Sequence, residues 1–384
     1  MSTELLRTLD LVDHHCHGVV TSRLDRAGLE DLLTESDAPA PQGTTFFDTQ
    51  LGFAVRRECA PVLGLPEFAD PHEYVERRAE LGPAEVNRRL LRAAGIGTYV
   101  VETGHRSDEI LTPAQMGAVT SAGHAEVVRL EVLAEQAAAD VDPVDFPAAF
   151  RAALDAALVT AVGVKTIAAY RGGLELDASR PTDEQVVAAA HAWTSEAEGE
   201  PLRLTDPVLL RFGWWEAVDR QVPIQVHVGY GDPDVDLHRC NPLLMTEFLR
   251  RTQGSGARFA LLHCYPYHRE AGYLAHVFPH VYCDVGLAVN FTGAQSPQVI
   301  AESLELTPFH KALFSSDAFG AAELFHLGAL LFRRGLAQGL TRWGEQGGWP
   351  LDEQMRVAQL IGSGNARRLY GLDVAQPRPH EEGS

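Results

Sequence analysis

The chain has 384 residues, of which 45% are hydrophobic and 22% are charged, and its formal net charge at pH 7 is −20. This composition is that of a globular protein with a sizeable core, and the acidic balance argues against a nucleic-acid partner, because phosphate binding needs basic surface. A secretory leader and a run of eighteen apolar residues are both missing, so we expect a soluble protein of the cytoplasm without membrane contact.

Eight short apolar segments, each followed by a stretch with helical periodicity, predict strands that alternate with helices. The segments are apolar on both faces, as expected for strands covered by helices. They span residues 9–15, 96–104, 125–133, 162–170, 222–229, 257–265, 280–287 and 311–318. Eight parallel strands alternating with helices predict an α/β fold of the (β/α)₈ TIM-barrel type.

The connection after the first predicted strand is too long for a plain loop, at about eighty residues. It contains segments with helical periodicity, so we predict a helical insertion over the barrel mouth at about residues 20–95. No linker separates two domains, which predicts a single domain over residues 1–375. The composition of residues 376–384 is typical of a flexible tail.

The cysteines and lysines are informative by their number. The five cysteines are scattered and odd in number, which argues against a disulfide framework or a zinc ribbon. Of 32 basic residues only Lys165 and Lys311 are lysines. In a chain so poor in lysine, those that remain are candidates for amine chemistry that arginine cannot supply.

Side chains of the types found in metal sites lie at the carboxyl ends of five predicted strands, the ends at which barrel enzymes form their sites. They are His15 and His17 (first strand), Lys165 (fourth), His227 (fifth), His263 (sixth) and Asp317 (eighth). Each alone is more often a hydrogen-bonded core residue or a helix cap. Together they predict a site for an ion such as Zn²⁺, Mn²⁺ or Fe²⁺. His14 and Cys16 have the opposite strand parity, so we expect them to face outward in structural roles.

Six separated motifs extend this hypothesis. They are "DHHCHG", "VKTIAAYRGGLEL", "PIQVHVGYGDPDVDLHRCNP", "LLHCYPYHREAGYLAHVFPHVYCDVGLA", "FSSDAFG" and "GNARRLYGL", between about residues 10 and 372. In this order they resemble the amidohydrolase superfamily, and within it the FluG/nodulin-type branch that is fused to glutamine-synthetase-like domains.

The resemblance implies roles for the same side chains. His15, His17, His227 and Asp317 would ligate a divalent metal, with Zn²⁺ first and Mn²⁺ or Fe²⁺ as alternatives. His263 would be a ligand of a second metal or would polarise the substrate. Lys165 would either be carbamylated and bridge two metals, or remain an unmodified hydrogen-bond donor in a one-metal site.

The activity implied is metal-dependent hydrolysis of a C–N bond in a small carboxylate-bearing substrate, with a γ-glutamyl amide as one candidate. Asp317 would accept the proton of the attacking water and pass it to the leaving group, while His263 supports the oxyanion. A decarboxylase, lyase or isomerase on the same barrel is the alternative, and a non-catalytic binding protein is a third hypothesis. The oligomeric state stays open, a homo-oligomer included.

Substrate contacts are predicted near the ends of the third and fourth strands. Arg171 either clamps a substrate carboxylate with its fork of donors or forms a salt bridge at the barrel rim. Tyr170 is a further candidate. Glu131 either contacts the substrate or pairs with Arg129, which shares its strand parity.

Overall fold

A single sheet of seven parallel strands organises the molecule in the computed structural model, which describes residues 8–139, 141–197 and 200–372. Each strand pairs with the next along the chain, so the order is β1-β2-β3-β4-β5-β6-β7. The strands are β1 (Val12–Cys16), β2 (Thr98–Glu102), β3 (Gly123–Arg129), β4 (Gly163–Thr166), β5 (Pro223–Val228), β6 (Arg258–His263) and β7 (Val281–Cys283). The prediction of an α/β fold with consecutive parallel strands is therefore confirmed.

Helices fill the connections between the strands. Between β1 and β2 lie α1 (Arg26–Asp31), α2 (Gln50–Ala54), a π-helical turn (Val55–Cys59), α3 (Ala60–Val62), α4 (Pro71–Leu81) and α5 (Pro83–Ala94). The next connections carry α6 (Pro113–Thr120), α7 (Leu130–Ala139), α8 (Phe146–Ala157), α9 (Asp183–Glu196), α10 (Pro207–Asp219), α11 (Thr246–Thr252) and α12 (His268–Val277). After β7 follow α13 (Gly286–Phe291), α14 (Ser296–Ser303), α15 (Ala322–Gly347), α16 (Leu351–Gln359) and α17 (Asn365–Tyr370).

Local sequence explains several helix boundaries. Thr112 and Thr182 accept hydrogen bonds from the backbone N–H of the residue three further on, and in both cases a glutamine there closes a capping box. Helix α5 ends at Gly95, which adopts the left-handed conformation that glycine tolerates best. In the described chain, no helix has the combination of length and apolarity needed to cross a bilayer.

The predicted third strand extends too far. β3 ends at Arg129, and Leu130 opens helix α7. The apolar run "LEVL" at 130–133 fits a strand and a buried helix equally well, since short apolar runs do not distinguish the two.

The predicted eighth strand, residues 311–318, does not form a regular strand, so seven of the eight expected strands are regular within the described residues. The segment still runs between β7 and β1: Leu313 N–H donates to Cys283 O at 3.0 Å, and His14 N–H donates to Phe314 O at 3.1 Å. Its pairing is interrupted because Ser316 N–H donates to the Asp13 carboxylate at 2.8 Å instead of to a strand neighbour.

Strand β1 contains an extra residue relative to β2. Asp13 pairs with Tyr99 and Cys16 with Val101, so three steps along β1 match two along β2. This bulge removes the simple alternation of sides. His14, which we expected to face outward, is fully buried with its Nε2 2.6 Å from Asp284 Oδ2.

Candidate functional site

Three side chains from distant parts of the sequence meet at the carboxyl end of the sheet. Asp317 Oδ1 lies 3.0 Å from His15 Nε2, and Asp317 Oδ2 lies 3.1 Å from His263 Nδ1. Atoms of His15, His263 and Asp317 that can ligate a metal all lie within 4.8 Å of one another. His17 Nε2 is 3.9 Å from Asp317 Oδ1. This cluster has the dimensions of one coordination sphere.

Lys165 and His227 complete the group. Lys165 Nζ lies 2.9 Å from His15 Nε2, and the ring centroids of His227 and His263 are 4.7 Å apart. Within the described residues, the buried Nε2 atoms of His227 and His263 have no hydrogen-bond partner. Because a buried polar atom without a partner is costly, two such atoms at the same place indicate a ligand.

The backbone is strained where this cluster forms. His263 has φ 66° and Asp317 has φ 49°, a region in which a residue with a Cβ atom costs about 1 kcal/mol or more. Buried carboxylates stabilise both turns: Asp284 Oδ1 accepts from His263 N–H at 2.8 Å, and Asp13 accepts from Ser316 N–H at 2.8 Å and from Ser316 Oγ–H at 2.5 Å. Strain of this kind is typical of functional sites.

Burial controls the protonation of the histidines. It lowers the pKa of His15, His227 and His263 well below the usual range and that of His17 to about 3. The four imidazoles are therefore neutral at physiological pH, the form in which histidine binds metals.

The lysine and the aspartate are shifted by the same burial. Burial lowers the pKa of Lys165 although Asp317 opposes the shift, and it raises the pKa of Asp317 well above its usual range although Lys165 opposes that shift. Removal from water disfavours the charged form of both groups, and a bound cation would favour the ionised carboxylate.

A cavity of about 590 Å³ opens above the cluster. Its walls include His17, Lys165, His227, His263, Asp317, Tyr170, Arg171, Arg129, Arg203, Glu35, His105 and Phe319. A larger groove of about 910 Å³ lies between α14 and α15, lined by Trp343 and Trp349 among others, but none of the predicted site residues borders it. The chemistry therefore places the candidate site in the smaller cavity.

The three predicted substrate-contact residues have different positions. Arg171 lines the cavity with Nη2 3.7 Å from Glu135 Oε1, so both roles considered for it stay open. Tyr170 lines the cavity with its ring centroid 4.5 Å from that of His227. Glu131 does not border it and forms no salt bridge with Arg129: its Oε1 accepts from Thr166 Oγ1 at 2.6 Å and from Ile167 N at 3.0 Å. Glu131 lies in helix α7 and not in a strand, as the parity argument had assumed.

Two cavity or near-cavity carboxylates were missed by the sequence analysis. Glu102 ends β2 and lies 3.3 Å from His17 Nδ1, and although burial opposes it, the neighbouring Arg129 lowers the pKa of Glu102 to about 2. The strand-end rule used for the histidines would have found it. Glu35 reaches the cavity from the β1–β2 connection, and nothing in the local sequence signals that.

A family model described as Amidohydrolase matches residues 12–372. The chain belongs to the amidohydrolase family. This confirms the resemblance inferred from the motifs.

One relative of this amidohydrolase is similar to it in sequence over about half of the chain. Protein fluG of Emericella nidulans is 31% identical over 231 residues, which cover 56% of this chain and 26% of that protein. The chain therefore spans about a quarter of the length of this curated relative.

Two solved structures show the likeness of the fold. A Lactobacillus casei ATCC 334 protein, proposed to be a metal-dependent hydrolase, is 30% identical with a TM-score of 0.82, over 96% of this chain and 97% of that one. A uronate isomerase from Bacillus halodurans C-125 has a TM-score of 0.65 at 13% identity, over 97% of this chain and 95% of that one. At that identity the second likeness concerns the fold alone.

Proposed function

We propose that this amidohydrolase-family protein is a metal-dependent hydrolase that cleaves a C–N bond other than a peptide bond. The observation that carries the proposal is the convergence of His15, His263 and Asp317, whose ligand atoms lie within 4.8 Å of one another. The substrate we propose is an amide of a small carboxylate-bearing molecule, with a γ-glutamyl amide as one candidate.

The residues present fit a divalent ion. The donor set of neutral imidazoles and a carboxylate suits Zn²⁺, with Mn²⁺ or Fe²⁺ as alternatives, and the unpartnered Nε2 atoms of His227 and His263 would gain a partner. His15, His17, His227, His263 and Asp317 would hold one or two ions. A bound divalent ion supplies Lewis-acid polarisation of a carbonyl oxygen and makes water more acidic.

Asp317 supplies the proton transfer in this proposal. Its Oδ atoms lie 3.0 and 3.1 Å from His15 and His263, so the carboxylate sits at the centre of the cluster. Asp317 would accept a proton from water and release it to the leaving amine; burial raises the pKa of this carboxyl group, whereas a bound cation lowers it. His263, buried beside it, would either bind a second ion or, in a one-metal site, support the negative charge that develops on the carbonyl oxygen.

Lys165 has two roles open to it. Burial lowers the pKa of its amine, so the neutral form that reacts with carbon dioxide is more abundant, which supports carbamylation and a bridge between two ions. As an unmodified amine, Lys165 would be a hydrogen-bond donor in a one-metal site; its Nζ lies 2.9 Å from His15 Nε2 in the structure. Mass measurement of the intact protein, in which carbamylation adds a carboxyl group, distinguishes the two.

The cavity walls support a substrate with an anionic group. Arg171 lines the cavity, and only 10% of its side chain is exposed, so its guanidinium would meet a substrate carboxylate where little water competes. Tyr170 would contact the same molecule beside His227.

We also propose that residues 311–318 complete a (β/α)₈ barrel of a single domain over residues 1–375, with the helices between β1 and β2 as an insertion over its mouth. Backbone hydrogen bonds on both sides of the segment support closure, since it bonds to Cys283 of β7 and to His14 of β1. The position of Glu35 on the cavity wall supports the placement of the insertion.

Metal content and turnover test this function. Protein purified with Zn²⁺ should retain one or two ions per chain, and a panel of γ-glutamyl and other carboxylate-bearing amides should release ammonia or amine. His15→Ala should lose metal, and Asp317→Asn should lose turnover by about 10²-fold or more while the circular dichroism spectrum is unchanged. Glu67→Gln, an exposed carboxylate of the β1–β2 connection, is the matched control.

Other outcomes would contradict the proposal. Full activity of Asp317→Asn would refute the proton-transfer role. Release of carbon dioxide from carboxylic acids, or interconversion of sugar acids, without any amide cleavage would favour the decarboxylase or isomerase alternative. Metal-free protein without activity would support a binding protein.

A further inference from the structure

A chain of buried hydrogen bonds connects His15 to helix α17, and no step of the proposed reaction depends on it. His15 Nδ1 lies 2.9 Å from Gln225 Oε1. Gln225 Nε2 in turn lies 2.7 Å from His14 O and 2.9 Å from the hydroxyl of Tyr370, the last residue of α17. The three side chains are buried: His15 and Gln225 fully, and Tyr370 with 6% of its surface exposed. We call these contacts the Gln225 chain.

The backbone oxygen of His14, which can only accept, determines which atoms of Gln225 and His15 donate. The backbone O of His14 has no proton, so the amide nitrogen of Gln225 must face it and donate. That orientation turns Gln225 Oε1, also an acceptor only, toward His15. Because Gln225 Oε1 can only accept, His15 Nδ1 carries the ring proton. The Nε2 lone pair then faces the cluster, where the donor Lys165 Nζ lies 2.9 Å away and Asp317 Oδ1 3.0 Å away.

The hydrogen bonds at the Tyr370 end of the Gln225 chain support the same assignment of donors and acceptors. Asp284 Oδ2 accepts from His14 Nε2–H at 2.6 Å, so His14 Nδ1 is free to accept from the Tyr370 hydroxyl at 3.0 Å. Burial raises the pKa of Tyr370, so the phenol keeps its proton and donates it there while its oxygen accepts from Gln225. Each polar hydrogen in the Gln225 chain then has one acceptor.

We propose that Gln225 and Tyr370 are positioning residues that hold His15 in its Nδ1–H tautomer with Nε2 turned toward the ion, and that helix α17 is thereby coupled to metal affinity. The proposal rests on the metal site of the proposed function. Partners of this kind change the metal affinity of a histidine ligand about 10- to 100-fold.

The tautomer of His15 is measured first, in metal-free protein labelled with ¹⁵N-histidine. The nitrogen chemical shifts should show a proton on Nδ1 of His15 in the wild type and in Tyr282→Phe, and a loss of that preference in Gln225→Leu. Tyr282 is the control because it packs in the same apolar cluster as Tyr370 but takes no part in the Gln225 chain.

Zn²⁺ affinity is measured second, by competition with a chelator. Tyr370→Phe should weaken binding about tenfold and Gln225→Leu by up to about 100-fold, with Tyr282→Phe unchanged. If Gln225→Leu does not fold, the affinity of Tyr370→Phe tests the proposal by itself, because this variant lacks only the hydroxyl oxygen and should still fold.

Two results would overturn the proposal: a wild-type His15 with its proton on Nε2, or variants that melt at lower temperature yet keep the wild-type affinity and tautomer. A wild-type protein that binds no Zn²⁺ refutes the proposed function instead, and the tautomer spectrum still decides this inference.

Discussion

At the scale of single residues, the left-handed backbone at Asp317 determines which substitution tests its role. With φ 49°, this position tolerates asparagine better than most residues, because a short polar side chain bonds locally in that region. Asp317→Asn therefore changes the charge without adding backbone strain. A valine or isoleucine there would combine loss of the carboxylate with strain and would not separate the two effects.

Glu35 is a second residue whose environment leads to a prediction. This half-buried carboxylate borders the cavity, and burial, assisted by the nearby Asp232, raises its pKa from 4.5 to about 7. Because the folded chain binds this proton more tightly than the unfolded chain, the stability Glu35 contributes is full below about pH 4.5 and is lost as the pH rises through 7.

Replacement of Glu35 by Gln should remove the loss of folding stability that accompanies ionisation of Glu35 at rising pH. We expect Glu35→Gln to exceed the wild type in free energy of unfolding by about 2 kcal/mol at pH 8, after allowance for partial exposure, and to match it near pH 4. Urea denaturation at the two pH values measures the difference. Equal stabilities at pH 8 would contradict the shift, and the exposed Glu67→Gln should show no gain.

At the scale of elements, the second lysine of the chain has a structural role. Lys311 Nζ donates to Ala275 O at 2.6 Å and to Phe278 O at 2.7 Å, at the carboxyl end of helix α12. The last carbonyls of a helix lack partners within it, and a cation there also interacts favourably with the helix dipole. Lys311 thus links the segment beside β7 to the end of α12, whereas Lys165 lies in the candidate site.

The corresponding prediction concerns stability alone. Lys311→Met keeps most of the apolar stem but removes both hydrogen bonds, so the free energy of unfolding should fall by about 2 kcal/mol. Chemical denaturation at pH 7 measures this fall. Zn²⁺ binding should be unchanged, because the amine contacts α12 and not the cavity. Wild-type stability of the variant would show that these bonds contribute nothing.

At the scale of the whole molecule, the candidate ligands come from strands at both ends of the chain. His15 belongs to β1, His263 to β6, and Asp317 follows β7. Because the unfolded chain cannot bring these side chains together, an ion that binds them binds the folded state and stabilises it by linkage.

Zn²⁺ should therefore raise the melting temperature. At a free concentration 100 times the Kd, the expected stabilisation is about 2.7 kcal/mol, a shift of several degrees in differential scanning calorimetry. A chelator should reverse it, and Asp317→Asn should show a smaller shift. His191→Ala, which removes an exposed histidine of α9, is the control for surface binding. An unchanged melting temperature would contradict a site shared by distant strands.

Much of this protein could be predicted from the sequence because its signals are local. Apolar runs followed by helical periodicity indicated consecutive parallel strands, and polar residues at strand ends indicated His15, His17, Lys165, His227 and His263, whose roles stay predictions. These features can be inferred from the sequence because the hydrophobic pattern of a strand or helix lies within a few consecutive residues.

Only the tertiary structure decided what depends on long-range contacts. The bulge in β1 breaks the alternation of sides on which the placement of His14 depended, and His14 contacts Asp284 in the interior. The Asp13 carboxylate, 303 residues from Ser316 in sequence, interrupts the expected eighth strand. Glu131, a candidate for substrate contact, does not border the cavity and accepts a hydrogen bond from Thr166. Hydrogen bonds and burial between distant segments outweigh local pattern at these positions, and a single sequence carries no local signal for them.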